Sequence, residues 1–230
     1  DQRGYSPGAR PNGRRAYAMR ELVADVVALL DATGVERAHV VGHDWGGAVA
    51  WALASDHADR VATLTVLSTP HPRAMAQSLR SSDQAVRSSY IGLFQLPVVP
   101  EALLLARGGA LLRRLLRRSG LPTAEAEAYA ARQAEPGALT ASLGWYRALP
   151  LDGSPSGDVA VPTRYLWGDR DGALGERAAE LTAEHVTGPY RFERLEGASH
   201  WLPELHAELV AAAILDHRRD GGDPAGAPST

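Results

Sequence analysis

The amino-acid sequence predicts an α/β fold in which a parallel β-sheet is interrupted by a helical insertion. Segments typical of strands and helices alternate at both ends of the 230-residue chain, a rhythm that favours parallel strands joined by crossover helices. Between residues 73 and 150 the alternation stops, and only helical patterns occur. The length fits one domain that carries such an insertion.

The first 72 residues contain the opening part of the predicted sheet. The elements predicted there are a loop over 1–15, a helix over 17–32, a strand at 40–41, a helix over 48–54 and a strand over 61–67. The first helix is amphipathic, with apolar residues at three- and four-residue spacing, and Gly34 marks its end. The second helix is apolar on nearly all sides, so we expect it to be buried.

Residues 73–150 form the predicted insertion, which is roughly half a domain in size. Its helical stretches cover 101–118, 123–134 and 138–149, with prolines between them. The first stretch carries four arginines, Arg113, Arg114, Arg117 and Arg118. Such a cluster is typical of a solvated helix face, and contact with an anionic partner is the alternative.

The strand–helix alternation resumes after the insertion. The elements predicted there are a strand over 163–167, a helix over 174–186, a strand over 190–195 and a helix over 203–218. Residues 220–230 are rich in Gly, Pro and Asp and are predicted to be a disordered tail. We therefore predict a core formed by residues 1–72 and 151–219, with the insertion over 73–150.

The composition excludes several classes of chemistry. The 24 basic and 27 acidic residues give a net charge of −3, which argues against nucleic acid or an anionic membrane as a partner. There is no cysteine, so disulfides, thiolate nucleophiles and Fe–S clusters are excluded. All the basic residues are arginine, which excludes Schiff-base lysines and the lysine of a phosphate-binding loop.

The first residues of the given sequence show no signal-peptide pattern, and no apolar run in it is long enough to span a bilayer. We therefore expect a cytoplasmic protein. Because the first residue is Asp1 and the first methionine is Met19, the beginning of the sequence is not expected to be a translation start. The sequence leaves the oligomeric state open.

The segment Gly42-His43-Asp44-Trp45-Gly46-Gly47 follows a predicted strand and opens a predicted helix. Small residues on both sides of a central nucleophile are typical of a nucleophile elbow, a strained turn that exposes the central side chain above the sheet. Here the central residue is Asp44, so the nucleophile would be a carboxylate that forms an ester. The alternative is an aspartate that only caps the helix.

An acid and a base follow in the chain order that such a nucleophile requires. Asp169 and Asp171 come directly after the strand over 163–167, and His200 comes after the last predicted strand. A histidine on such a loop is suited to act as a general base, with an acid from the preceding loop orienting its ring. A zinc site made of His200, Glu204 and His206 is an alternative with unusual spacing.

Together, the motifs GHDWGG, WGDRD and ASHW resemble those of the α/β-hydrolase superfamily and, within it, the epoxide hydrolases. The resemblance extends from Asp1 to about His217. It implies an α/β-hydrolase fold with a parallel sheet, and it identifies the insertion over 73–150 as a cap domain. It also implies that Asp171, at the end of the acid-loop motif, is the acid that orients His200.

Two segments of the insertion add to the resemblance. The run SSYIGLFQLP resembles the cap segment with the first epoxide-binding tyrosine, which implies that role for Tyr90. The run WYR resembles the segment with the second, which implies the same role for Tyr146. Two phenols can hydrogen-bond and protonate an epoxide oxygen without being ionised at neutral pH. Phe94 and Trp145 suggest an apolar substrate pocket, hence a small apolar epoxide.

The reaction implied is opening of an epoxide to a vicinal diol. Asp44 would form a covalent ester, and water activated by His200 and Asp171 would hydrolyse it. The backbone N–H of Trp45 would stabilise the oxyanion. Water and the epoxide are the only reactants, and neither a cofactor nor a metal is expected.

The sequence departs from the family at one point. The family has a second oxyanion donor in a His-Gly-x-Pro loop after an early strand, and this chain contains no such motif. The early strands are also absent from the chain as given. Losing an oxyanion donor typically costs about 10²–10³ in rate, so we expect these 230 residues alone to be weakly active, inactive or poorly folded.

Two other functions remain open at this point. A haloalkane dehalogenase shares the aspartate nucleophile, the histidine and the cap, and Trp45 would fit its halide site. Such enzymes do not use a pair of cap tyrosines, so Tyr90 and Tyr146 favour the epoxide hydrolase. An inactive remnant of the hydrolase fold, used for binding, is the alternative without catalysis.

Overall fold

A computed structural model describes residues 1–153 and 156–220. In this part of the chain the predicted α/β fold is confirmed, with helices around a parallel sheet of four strands. The predicted disordered tail lies, from residue 221 onwards, outside the described residues.

In chain order the helices are α1 (Met19–Ala32), α2 (Trp45–Asp56), α3 (Pro72–Ser81), α4 (Gln84–Arg87), α5 (Tyr90–Phe94), α6 (Val99–Arg118), α7 (Thr123–Gln133), α8 (Ala138–Ala148), α9 (Glu176–Leu181), α10 (Leu202–Leu205) and α11 (Ala207–Asp220). The strands are β1 (Ala38–His43), β2 (Val61–Leu67), β3 (Thr163–Gly168) and β4 (Tyr190–Leu195).

By their internal contacts the residues group into two units. Among the described residues, the helical unit consists of residues 1–25 and 88–153, and the sheet unit consists of residues 26–87 and 156–220. The boundaries between the two units differ from the predicted limits of the insertion, which are residues 73 and 150. Helices α3 and α4 group with the sheet, and the first 25 residues group with the helices. The assignment of residues 73–150 as a cap stays a prediction.

The sheet of the sheet unit has the strand order β1-β2-β3-β4, and all neighbours run parallel. Every residue of β2 and β3 is buried, as expected for the central strands of a parallel sheet covered on both faces. Because the strands are parallel, their carboxyl ends meet at one edge. The loops after β1, β3 and β4 therefore start close together, and these loops carry Asp44, Asp171 and His200.

Each unit has its own apolar cluster. In the sheet unit, Leu67 of β2 and Leu166 of β3 pack with buried residues of the C-terminal region, Ala198, Leu202, Val210 and Ala213. In the helical unit, Leu104 packs with Leu139 and Leu143 of α8, and Phe94 and Tyr146 lie against this cluster. The residues around the predicted cap tyrosines therefore belong to a packed core.

Three helix predictions needed correction. The predicted helix over 101–118 starts at Val99 and is broken at Ala106–Gly109, because Gly108 and Gly109 adopt φ angles of 65° and 84°. The helix predicted over 174–186 is α9 followed by a 3₁₀ turn over Thr182–His185. The last predicted helix is divided into α10 and α11 at His206.

His71, at the start of α3, is a fully buried histidine that gives the sheet unit a sensitivity to acid. Its Nδ1 accepts a hydrogen bond from the backbone N–H of Arg73, so its Nε2 carries the proton and donates to the carbonyl of Gly157 at 3.1 Å. Its ring stacks on that of His185, with 5.0 Å between centroids. Burial, together with the neighbouring His185, lowers the pKa of His71 from 6.5 to about 4.

The free energy of unfolding is therefore expected to fall as the pH decreases from about 6.5 to about 4, by up to about 3 kcal/mol. The unfolded chain binds a proton at this position in that interval and the folded chain does not, so acid favours unfolding. Urea titrations across this range measure the effect. In a His71→Asn variant, which keeps a side chain able to cap the helix, the dependence should weaken. An unaltered dependence in His71→Asn would contradict the assignment.

Candidate active site

Asp44 lies in a strained turn between β1 and α2. Its backbone adopts φ 51° and ψ −125°, a conformation that residues with a side chain rarely adopt. The two flanking glycines are explained by close approach. A Cβ atom on Gly42 would collide with the carbonyl of Gly46, and one on Gly47 would lie 2.8 Å from Cβ of Thr69. The glycines therefore allow the turn that presents the Asp44 side chain.

The carboxylate of Asp44 is 44% exposed, so it is open to a reactant. Its Oδ2 lies 3.3 Å from Nε2 of His200. Partial burial would raise the pKa of Asp44, but the hydrogen bond and the charge of His200, together with the N–H of Trp45, outweigh it and lower the pKa below its ordinary value. Asp44 is therefore ionised at neutral pH, as a nucleophile must be.

The imidazole of His200 lies between two carboxylates. Its Nδ1 is 2.8 Å from Oδ2 of Asp171, whose side chain is fully buried. The other oxygen of Asp171 accepts hydrogen bonds from the backbone N–H groups of Ala173 and Leu174, at 2.8 and 3.0 Å. These contacts fix the Asp171 carboxylate, and the carboxylate in turn fixes the orientation of the His200 ring.

The protonation of His200 follows from these two neighbours. Burial would lower the pKa of His200, but the hydrogen bonds to Asp171 and Asp44 and their charges raise it to about 10. In the free protein the ring is therefore an imidazolium at neutral pH. Part of this effect comes from Asp44 and depends on its negative charge.

Asp169, the other aspartate in the loop after β3, makes different contacts. Its Oδ1 accepts a hydrogen bond from the backbone N–H of Gly197 at 2.7 Å, and Arg194 lies 3.5 Å from its Oδ2. Asp169 thus holds the start of the loop that carries His200, and it is Asp171 whose carboxylate meets the imidazole.

Two residues that the sequence analysis did not single out hold the backbone of His200. The carbonyl of His200 accepts hydrogen bonds from Nε2 of His43 and from the hydroxyl of Ser68, both at 2.8 Å. Burial and the neighbouring His200 lower the pKa of His43, so His43 is neutral and can donate only through its Nε2–H. His43 stands within the elbow motif and could have been suspected, whereas Ser68 follows β2 with no pattern around it.

The two predicted tyrosines lie together in the helical unit. The ring centroids of Tyr90 and Tyr146 are 6.0 Å apart in an edge-to-face arrangement, and the ring of Phe94 lies 5.3 Å from the first and 5.0 Å from the second. Tyr90 is 38% exposed. Trp145 is almost fully buried and donates its indole N–H to the carbonyl of Arg3, a position typical of a core residue, whereas Phe94 is partly exposed.

Polar contacts hold the segment after Tyr90 against α8. The side-chain amide of Gln95 donates to the carbonyl of Tyr146 at 2.7 Å, and Arg147 donates to the carbonyls of Phe94 and Leu96. Glu101 binds the guanidinium of Arg147 at 2.7 Å. This network ties the backbone near one tyrosine to the backbone of the other.

The described part of the chain contains no group of three or more His, Asp or Glu side chains that could hold a metal ion. The zinc alternative on His200, Glu204 and His206 therefore has no support. Within the same residues, no individual helix is long and apolar enough to cross a membrane. The segments Gln84–Phe94 and Val99–Arg118 meet the length and composition test only together, with an 89° bend between them.

A family model described as the alpha/beta hydrolase fold matches residues 1–207. An AB hydrolase superfamily protein of Bacillus subtilis is 36% identical over 96% of this chain and 79% of its own length. Epoxide hydrolase A of Mycobacterium tuberculosis is 32% identical over 94% of this chain and 79% of its own length. Epoxide hydrolase 3 of Xenopus tropicalis is 34% identical over 96% of this chain, but the chain spans 63% of that protein.

Solved structures show the same likeness. The crystal structure of epoxide hydrolase A from Mycobacterium thermoresistibile has a TM-score of 0.79 and 30% identity, and the match covers 95% of this chain and 81% of that chain. An epoxide hydrolase of Bacillus megaterium has a TM-score of 0.84 over 95% of this chain and 82% of that chain, at 23% identity, a likeness of fold.

Proposed function

The chain belongs to the epoxide hydrolase family of the α/β-hydrolase superfamily, and from this membership and the geometry around Asp44 we propose that it opens epoxides to vicinal diols. The observation that carries the proposal is the hydrogen-bonded chain Asp171–His200–Asp44, with contacts of 2.8 and 3.3 Å. A carboxylate instead of a hydroxyl at the strained elbow favours attack on an alkyl carbon and an ester intermediate.

In the first step proposed, an oxygen of the Asp44 carboxylate attacks a ring carbon of the epoxide. The bond from that carbon to the ring oxygen breaks, and the oxygen keeps the electron pair. We propose that Tyr90 and Tyr146, the residues that the family resemblance implies, act on this oxygen: one phenol gives it a proton and becomes a phenolate, and the other donates a hydrogen bond. Support for this pairing comes from the helical unit itself, where the two phenol rings lie 6.0 Å apart.

In the second step proposed, water attacks the carbonyl carbon of the Asp44 ester and gives its proton to His200. The negative oxygen that develops is stabilised by the N–H of Trp45, a group that already contributes a hydrogen bond to the free carboxylate. Collapse of this tetrahedral intermediate releases the diol and restores the carboxylate. We propose Asp44, His200 and Asp171 as the catalytic triad.

The charge of Asp44 determines when His200 can act as the base of the second step. In the free protein both Asp44 and Asp171 raise the pKa of His200, to about 10. An ester at Asp44 carries no charge, so the contribution of Asp44 to this raised pKa disappears and the pKa of His200 falls. The imidazolium can then release its proton, which restores the phenol that gave its proton to the ring oxygen. The neutral imidazole is thus available as the base when the ester exists.

Turnover of an epoxide such as styrene oxide tests the proposal, with replacement of Tyr90 and Tyr146 by phenylalanine. Each single variant should lower kcat for diol formation, and the double variant should lower it by about 10²–10⁴-fold, because general-acid assistance at the ring oxygen is lost. Tyr129→Phe is the matched control, since Tyr129 lies in the same unit and is also 38% exposed.

Two outcomes would overturn the proposal. Unchanged diol formation in the double variant would show that the two tyrosines do not take part in the reaction. Chloride release from a chloroalkane, with no diol from any epoxide, would show a dehalogenase instead.

A further inference from the structure

The short helix α4 lies against the loop that carries Asp171, and one of its side chains binds that loop at two points. Gln84 is 1% exposed. Its Oε1 accepts a hydrogen bond from the backbone N–H of Gly175 at 2.9 Å, and its Nε2 donates to the carbonyl of Ala173 at 2.8 Å. Gln84 thus uses both ends of its amide on the same short stretch of backbone.

Arg87, the last residue of α4, binds the first residues of the same loop. Its Nη1 donates to the carbonyl of Asp171 at 3.0 Å and to that of Gly172 at 3.4 Å. Its Nε donates to the carboxylate of Asp83 at 2.8 Å, which holds the guanidinium in place. The side chains of Gln84 and Arg87 together bind four backbone groups between residues 171 and 175.

The peptide group between Ala173 and Leu174 connects Gln84 to the carboxylate of Asp171. Its carbonyl accepts from Gln84, and its N–H donates to Oδ1 of Asp171 at 3.0 Å. Hydrogen bonds in such a row polarise one another, and a peptide plane held at both ends cannot rotate freely. The position of this peptide therefore sets the position of the carboxylate that faces His200.

We propose that Gln84, assisted by Arg87, is a positioning residue that holds the acid loop so that Asp171 orients the imidazole of His200. This inference rests on the proposed function, because it assigns to Asp171 the role of orienting the base. We expect Gln84 and Arg87 to act through the loop, by the hydrogen bonds that their side chains make to its backbone. The requirement is specific, since only a side chain that both donates and accepts can make the two bonds of Gln84.

Gln84→Met is the primary test, because methionine has a similar shape and can form neither bond. Loosening the loop weakens the hydrogen bond from His200 to Asp171, so the pKa of His200 is expected to fall below about 10. NMR of ¹⁵N-labelled histidine, titrated without substrate, measures it. Hydrolysis of the ester should slow by on the order of 10–10²-fold with little change in its formation, so that ester accumulates in rapid-quench experiments. Gln77→Met, at an exposed position of α3, is the control.

A second variant covers the case in which Gln84→Met does not fold. Arg87→Met removes the bonds to Asp171 and Gly172 at a position that is 33% exposed in its side chain. Loss of a positive charge by itself would raise the pKa of a neighbouring histidine, so a lower pKa of His200 in this variant reports lost positioning.

The two readouts separate this inference from the proposed function. If the folded variants titrate at His200 like the wild type and hydrolyse the ester at its rate, the positioning role is wrong even though the enzyme works. If the wild type forms no diol while the variants still lower the pKa of His200, the proposed function fails and the structural link between Gln84 and Asp171 stands.

Discussion

Replacing Asp44 by asparagine is expected to lower the rate of diol formation by on the order of 10⁴-fold or more. An amide is a poor nucleophile, so the ester cannot form at a useful rate. Asparagine is the substitution of choice because it tolerates positive φ angles better than most residues, and Asp44 has φ 51°. The variant should therefore fold, and removing the carboxylate should also lower the pKa of His200 below about 10.

Single-turnover measurements with excess enzyme check this expectation, since they detect small residual rates. Asp56→Asn serves as the control, because Asp56 is an exposed residue at the far end of the same helix, α2. Retention of more than about a hundredth of the wild-type rate by folded Asp44→Asn would exclude Asp44 as the nucleophile.

Replacing His200 by glutamine is expected to stop the reaction at the ester. Asp44 can still attack the epoxide, but no base remains to activate water, so turnover ceases after one equivalent of substrate. Without His200 the pKa of Asp44 rises, because the hydrogen bond and charge that lower it are gone, and a mildly alkaline buffer keeps the carboxylate ionised. The intact protein should gain the full mass of the epoxide, since ring opening expels no leaving group.

Peptide mass spectrometry locates the adduct, which is expected on the peptide that contains Asp44. His206→Gln is the control, since His206 is a half-buried histidine near the same end of the chain, and it should accumulate no adduct. A folded His200→Gln protein that forms no adduct would favour a binding role without catalysis. An adduct on a different peptide would show that a residue other than Asp44 is the nucleophile.

The elements that the sequence predicted best are those with local causes. Strands β2 and β4 have the predicted ends, because an uninterrupted strand pattern is bounded by turn residues on each side. The elbow could be recognised from its glycines, because only glycine at position 42 permits the close approach of the backbone of Gly46. In these cases neighbouring residues along the chain decide the conformation.

The features that could not be predicted depend on contacts between distant parts of the chain. Gln84 looks like an ordinary polar helix residue, and its role becomes visible only when it lies beside Ala173 and Gly175. Asp169 and Asp171 are equally placed after β3, and the family resemblance rather than spacing separated them. The division of the residues into two units could not be read from the sequence for the same reason, because grouping by contacts is a property of the folded chain.

The parallel pairing of β2 with β3 has a consequence for the order in which the protein acquires its shape. Leu64 lies beside Thr163, about a hundred residues later, and Asp44 meets a histidine 156 residues away. Contacts of such long range form late and slowly, since much chain entropy is lost before they are made. During synthesis, the elbow leaves the ribosome long before the imidazole that must sit beside it. Recovery of activity after dilution from denaturant should therefore lag behind recovery of helical circular dichroism.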